Sequence, residues 1–144
     1  MEAEAVKKFL GFLALAFSLS CRTASYVAIG ASDCTGVGAI PINKGYVYLL
    51  DDYLPGTGLN LGIPGATADR ILAIEVPLAI AAKPGVITIW TGANDMVHGR
   101  TNEEFTKDVS SILTTLATTK AKVYIGNIPD LSKMTRFQKA PDKD

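Results

Sequence analysis

Histidine is nearly absent from this sequence, which has one, His98, in 144 residues. That scarcity argues against a histidine-based metal site. Cysteine is scarce too: Cys21 and Cys34 form no C-x-x-C pair and are too few for a disulfide scaffold. No charge of one sign is in surplus, since Lys plus Arg and Asp plus Glu each total 14. A balanced chain has no excess cation to neutralise a phosphate backbone, which sets nucleic acid aside as a partner. Nor does any apolar run reach the roughly 20 residues that a helix needs to cross a bilayer. Internal repeats and low-complexity segments are missing as well. What remains is a chain of single-domain size, long enough to bury a real core.

The first two dozen residues differ in kind from the rest. Lys7 and Lys8 precede the apolar run FLGFLALAFSLS, and the small residues Ser18 and Ser20 stand just before Cys21. A basic lead, a short apolar stretch and small residues at its end make the layout of a secretory signal peptide. Residues 1–20 are therefore expected to be a signal peptide, and the protein to be exported: periplasmic, secreted or lipid-anchored. Cys21 resembles the lipidated cysteine of bacterial lipoproteins, although Ser18 stands where such sites carry Leu. It is the candidate for membrane attachment. The competing reading of the stretch is a buried first helix.

From Tyr26 onward, strand and helix signals alternate. Tyr26–Ile29 is β-branched and aromatic and ends in glycine, which predicts a strand. YVYLLDDYL, residues 46–54, closes at Pro55-Gly56 and predicts a helix. Leu59-Asn60-Leu61 is a short strand candidate. From Ala68 to Ala82 an apolar helical stripe runs through Ile71, Leu72, Glu75 and Leu78, with Pro77 expected to kink or break it. VITIW, residues 86–90, is the strongest strand signal. Thr101 with Glu104 makes a capping box, and Phe105, Val109, Ile112, Leu113 and Leu116 fall on one helical face. KVYI, residues 122–125, predicts a fourth strand. The order β-α-β-α-β-α-β implies a parallel sheet with helices on both faces. In such sheets ligands bind outside the carboxyl ends of the strands.

Three glycine-containing loops fall at that edge. The first, in YVAIGASDCTGVGAIP (residues 26–41), places Ser32 between glycines. A phosphate cradle, a nucleophile on a tight turn and a plain loop compete to explain it. The phosphate reading fares worst, because Val37 stands where a P-loop needs lysine and the glycines miss the G-x-G-x-x-G spacing. A nucleophilic serine needs an exposed hydroxyl and donors where the oxyanion develops. The second loop, NLGIPG, and the third, GAND, offer a glycine backbone and an Asn side chain of that kind.

These blocks resemble those of the SGNH, or GDSL, family of serine hydrolases. GASDCTG is similar to the family's GDSxxxG, NLGIPGAT to its N-x-x-x-x-G-x-T, and GAND to its GxND; GNIPDLS looks like the segment after the fourth strand. The resemblance covers residues 25–132 and leaves residues 133–144 as a polar tail. It implies a three-layer, flavodoxin-like α/β fold and ester hydrolysis by acyl transfer. It further implies Ser32 as nucleophile, with the Gly65 N–H and the Asn94 amide joining the Ser32 N–H as oxyanion donors. The substrate would be a small-molecule or lipid ester, and no cofactor or metal is called for.

Two departures stand out. Ala31 replaces the family's Asp before the serine, with Asp33 a candidate to compensate. The family's D-x-x-H block, source of its catalytic base, is not found after Asn127. The chain is therefore expected to be an N-terminal portion, with its last strand and helix missing. The alternative is a non-catalytic binding module that has lost the base. Asp95-Met96-Val97-His98 imitates D-x-x-H in letters, but one loop cannot serve as both blocks, so His98 is expected to face solvent. Asp95 is expected to hold its loop, Cys34 to be half-buried and unreactive, and Trp90 to pack in the core.

Overall fold

The computed structural model describes residues 24–128 and Asp130. The expected signal peptide, Cys21 and the polar tail lie outside these residues. Four strands form one parallel sheet in the order β2-β1-β3-β4: β1 is Tyr26–Gly30, β2 Gly58–Asn60, β3 Val86–Trp90 and β4 Lys122–Ile125. Tyr26 pairs with Val86 and Gly30 with Trp90, so the two central strands end level at the carboxyl edge. The β2 ladder stops earlier, at Ala28 opposite Asn60.

Alternation along β1 sorts the core into two faces. Val27 and Ile29 join Ile71, Val76, Ala79, Ile112 and Leu116 on one side, and Tyr26 and Ala28 join Cys34 and Val47 on the other. The second face is covered by helix α1, Tyr46–Tyr53. The first is covered by α2 (residues 68–82) and by α4, Asn102–Leu116, which makes three layers. A short helix, α3 (Ala93–Val97), follows β3 where the sequence pattern predicts only a loop. The α4 capping box forms as expected: Thr101 Oγ1 accepts from the Glu104 N–H, and Glu104 Oε2 accepts from the Thr101 N–H.

Pro77 neither breaks nor ends α2. The helix widens into a π-turn over Ile71–Glu75, with the Val76 N–H reaching back to the Ile71 carbonyl, and resumes as α-helix over Val76–Ala82. Proline lacks an N–H and crowds the carbonyl one turn back, and a wide turn relieves both. The extra residue also rotates the remainder of the helix. Val76 and Ala79 become the core contacts, while Leu78, placed on the apolar stripe by simple spacing, is left exposed. On α4, Leu113 likewise lies partly exposed beside the core stripe.

Candidate active site

β1 delivers the first loop through Gly30, whose φ is +148°. A Cβ there would lie 2.3 Å from the Trp90 carbonyl oxygen and 2.7 Å from Cys34 Sγ, so only glycine lets the chain through. Beyond it the backbone coils tightly, with the Cys34 N–H donating to the Ala31 carbonyl and the Thr35 and Val37 N–H groups both donating to that of Ser32, each at 3.1 Å. The carbonyl of Ser32 is thus fixed. Its N–H and its half-buried hydroxyl make no hydrogen bond among the described residues. Ser32 therefore caps no helix among the described residues.

The second loop is stapled to the first. The Ile63 N–H donates to the Gly30 carbonyl at 3.0 Å. Asn60 Nδ2 donates to the Cys34 carbonyl at 2.6 Å, while Asn60 Oδ1 accepts from the Gly62 N–H at 3.0 Å. A Cβ on Gly62 would sit 2.3 Å from that of Cys34, so the backbones meet only because position 62 is glycine. Gly65, at φ +82°, is exposed with open space around it, and its N–H is unpaired among the described residues.

The third loop is tied to the second through α3. Asn94, half-buried on that helix, donates from Nδ2 to the Ala66 carbonyl at 3.0 Å, using one of its two N–H bonds. Asp95 is buried and accepts from the Ala68 N–H on both oxygens at 3.1 Å, so it does hold the loop. Arg100 backs it, with Nε 3.1 Å from Asp95 Oδ1 though not aimed for a hydrogen bond, and further ion pairs to Asp69 and Asp108. Burial pushes the Asp95 carboxyl above its ordinary value, opposed by the Ala68 N–H and Arg100.

His98 ends α3, is exposed, and makes no side-chain bond to Ser32 among the described residues. Cys34 is fully buried rather than half-buried, with Sγ 3.1 Å from the Tyr46 hydroxyl. Burial pushes its thiol up to about 11, which keeps it protonated and a poor nucleophile. Trp90 is only half-buried, its ring 5.3 Å from that of Tyr46 at the edge of the sheet.

Asn60, the first residue of the NLGIPGAT block, staples two loops. Two contributors carry no signal in the motifs: Arg100, which gathers three carboxylates, and Glu75. Glu75 is 0% exposed, and its Oε2 accepts from the Gly30 N–H at 2.7 Å. Its one signal in the sequence is a carboxylate four residues after Ile71 on an otherwise apolar stripe.

Residues 25–143 match the GDSL-like Lipase/Acylhydrolase family. Among curated proteins the chain finds no match. Solved structures similar to it include AlinE4, an SGNH-hydrolase family esterase, with TM-score 0.65 and 20% identity over 82% of this chain and 66% of that one. TesA is similar at TM-score 0.62 and 22% identity, over 80% and 67%. The psychrotrophic esterase EstA from Pseudoalteromonas sp., solved inhibited by monoethylphosphonate, is similar at 0.60 and 19%, over 72% and 60%. At these identities the likeness carries the fold. The chain spans 60% to 67% of the lengths of these three structures.

Proposed function

We propose a function from one premise: the chain belongs to the GDSL-like Lipase/Acylhydrolase family. It is a serine ester hydrolase that works by acyl transfer through Ser32. Ser32 Oγ attacks the ester carbonyl carbon, and the electron pair of the carbonyl moves onto its oxygen. That oxyanion is held by the N–H groups of Ser32 and Gly65 and by the second N–H of the Asn94 amide. As the carbonyl re-forms, the ester C–O bond breaks and the alcohol departs with the proton given up by the Ser32 hydroxyl. Water then hydrolyses the acyl-serine, releasing the acid and restoring the hydroxyl. One observation carries the reading. The three loops are bound to one another at the carboxyl edge, and the donors this chemistry needs are those left unpaired there. Unpaired donors aimed at a developing charge are the largest contributor to such catalysis.

A non-catalytic binding module on the same fold is the second reading. The exposure of His98, and the absence of any partner on the Ser32 hydroxyl among the described residues, favour it. Exposure of the purified protein to an ethylphosphonate reagent, followed by intact mass, separates the two. A covalent adduct that forms slowly, as expected of a serine without a base, and is lost in Ser32→Ala is the expected result. Reversible ester binding with neither adduct nor turnover would leave the module.

Export belongs to the same proposal and rests on sequence alone. Processing should leave a mature protein that begins at or near Cys21. N-terminal sequencing of material from an exporting host checks this, and an intact Met1 on the exported form would sink it.

A further inference from the structure

Beneath the Ser32 loop lies a carboxyl that acyl transfer does not use. Glu75 closes the π-turn of α2 and points under the end of β1, where its Oε2 takes the Gly30 N–H at 2.7 Å. The Ile63 N–H, which donates to the Gly30 carbonyl at 3.0 Å, also acts on this carboxyl. The second oxygen, Oε1, is buried with no partner among the described residues. A buried acid with one unsatisfied oxygen is costly, and an apolar side chain of that size would fill the site at less cost. Its presence calls for a role that packing does not supply.

Position supplies one. The β2 ladder ends at Ala28, so the Gly30 N–H lies beyond the last β2 pair and needs another acceptor. Nothing in its own loop provides it: Ala31 is 2% exposed and has no polar side chain, and the Asp33 carboxylate makes no hydrogen bond among the described residues. We infer that Glu75 is the positioning residue of the nucleophile loop, holding the Gly30 N–H and Ile63 together so that Ser32 leaves β1 facing the donors of the second loop. This rests on the hydrolase reading of Ser32. Among the described residues, the titratable or charged groups that act on Glu75 are Arg70, on its own helix, and Cys34 in the first loop. The Cys34 thiol, held at about 11 by burial, stays neutral near neutral pH. Burial raises Glu75 itself to about 7, within reach of an ordinary titration.

Two measurements on the full chain test this. In amide-resolved NMR, the Gly30, Ser32 and Ile63 resonances should shift together across neutral pH in the parent and stay flat in Glu75→Gln. In phosphonate labelling of Ser32, Glu75→Leu should slow adduct formation about 10²-fold, the scale expected for a reacting group misplaced by about an ångström. Glu75→Gln keeps an acceptor for the Gly30 N–H and should recover most of that rate. Amides indifferent to pH and to both substitutions would overturn the positioning role, as would equal labelling in all three proteins. Amides that respond in a parent that never labels would support the role while sinking the hydrolase reading.

Discussion

Asn94 uses one amide N–H on the Ala66 carbonyl and keeps the other. Asn94→Ala removes both the staple and the donor, so any turnover should fall ~10² to 10³-fold. Steady-state kinetics would check this, with His98→Ala, at an exposed site, changing little. Glu75 makes a separate prediction for stability. An unfolded glutamate ionises near 4.5, whereas burial holds the folded one at about 7. The folded protein keeps the proton longer, so its contribution is complete below the lower value, declines as pH rises between the two, and levels off above. Denaturant melts at several pH values should show that decline, and Glu75→Gln should flatten it. Ser32, Gly65 and Asn94 stand out in the sequence as candidates because each sits in a motif with defined spacing. Glu75 cannot, because its importance comes from a helix widening that brings it under a strand 45 residues away.

Three of the strands are legible as short runs of β-branched and aromatic residues, and β3 and β4 have the bounds that pattern gives. β2 is less so: its first residue is Gly58, and all three of its residues are exposed, so no burial pattern marks it. The π-turn in α2 is hidden for a related reason. Periodicity assumes constant winding, and one wide turn shifts every later side chain to another face. α4 has the opposite character, with its start written in the Thr101 and Glu104 pair. Thr101→Ala should lower stability by ~1 kcal/mol, as loss of an N-cap generally does. A urea melt would show a lower midpoint at unchanged slope.

At the scale of the molecule, the sheet has two edge strands among the described residues, β2 and β4. β4 leaves Tyr124 and Ile125 exposed. Unpaired strand edges invite pairing with another chain. The chain also spans only 60% of the length of EstA, one of the esterases whose fold it shares. The Ser32 hydroxyl has no partner among the described residues, and a serine without a hydrogen-bonded base is a weak nucleophile. The 144 residues on their own are expected to cleave an activated aryl ester barely or not at all. A longer chain that places a fifth strand beside β4 and a D-x-x-H segment beside Ser32 should turn over ~10⁴-fold faster. In that chain the backbone amides of β4 should exchange more slowly, since their outer side would be paired. Ser32→Ala should then abolish the gain without undoing the slower exchange, which separates loss of chemistry from loss of fold. Brisk turnover by the present chain, abolished by His98→Ala, would show instead that α3 carries the base and that no further strand is needed.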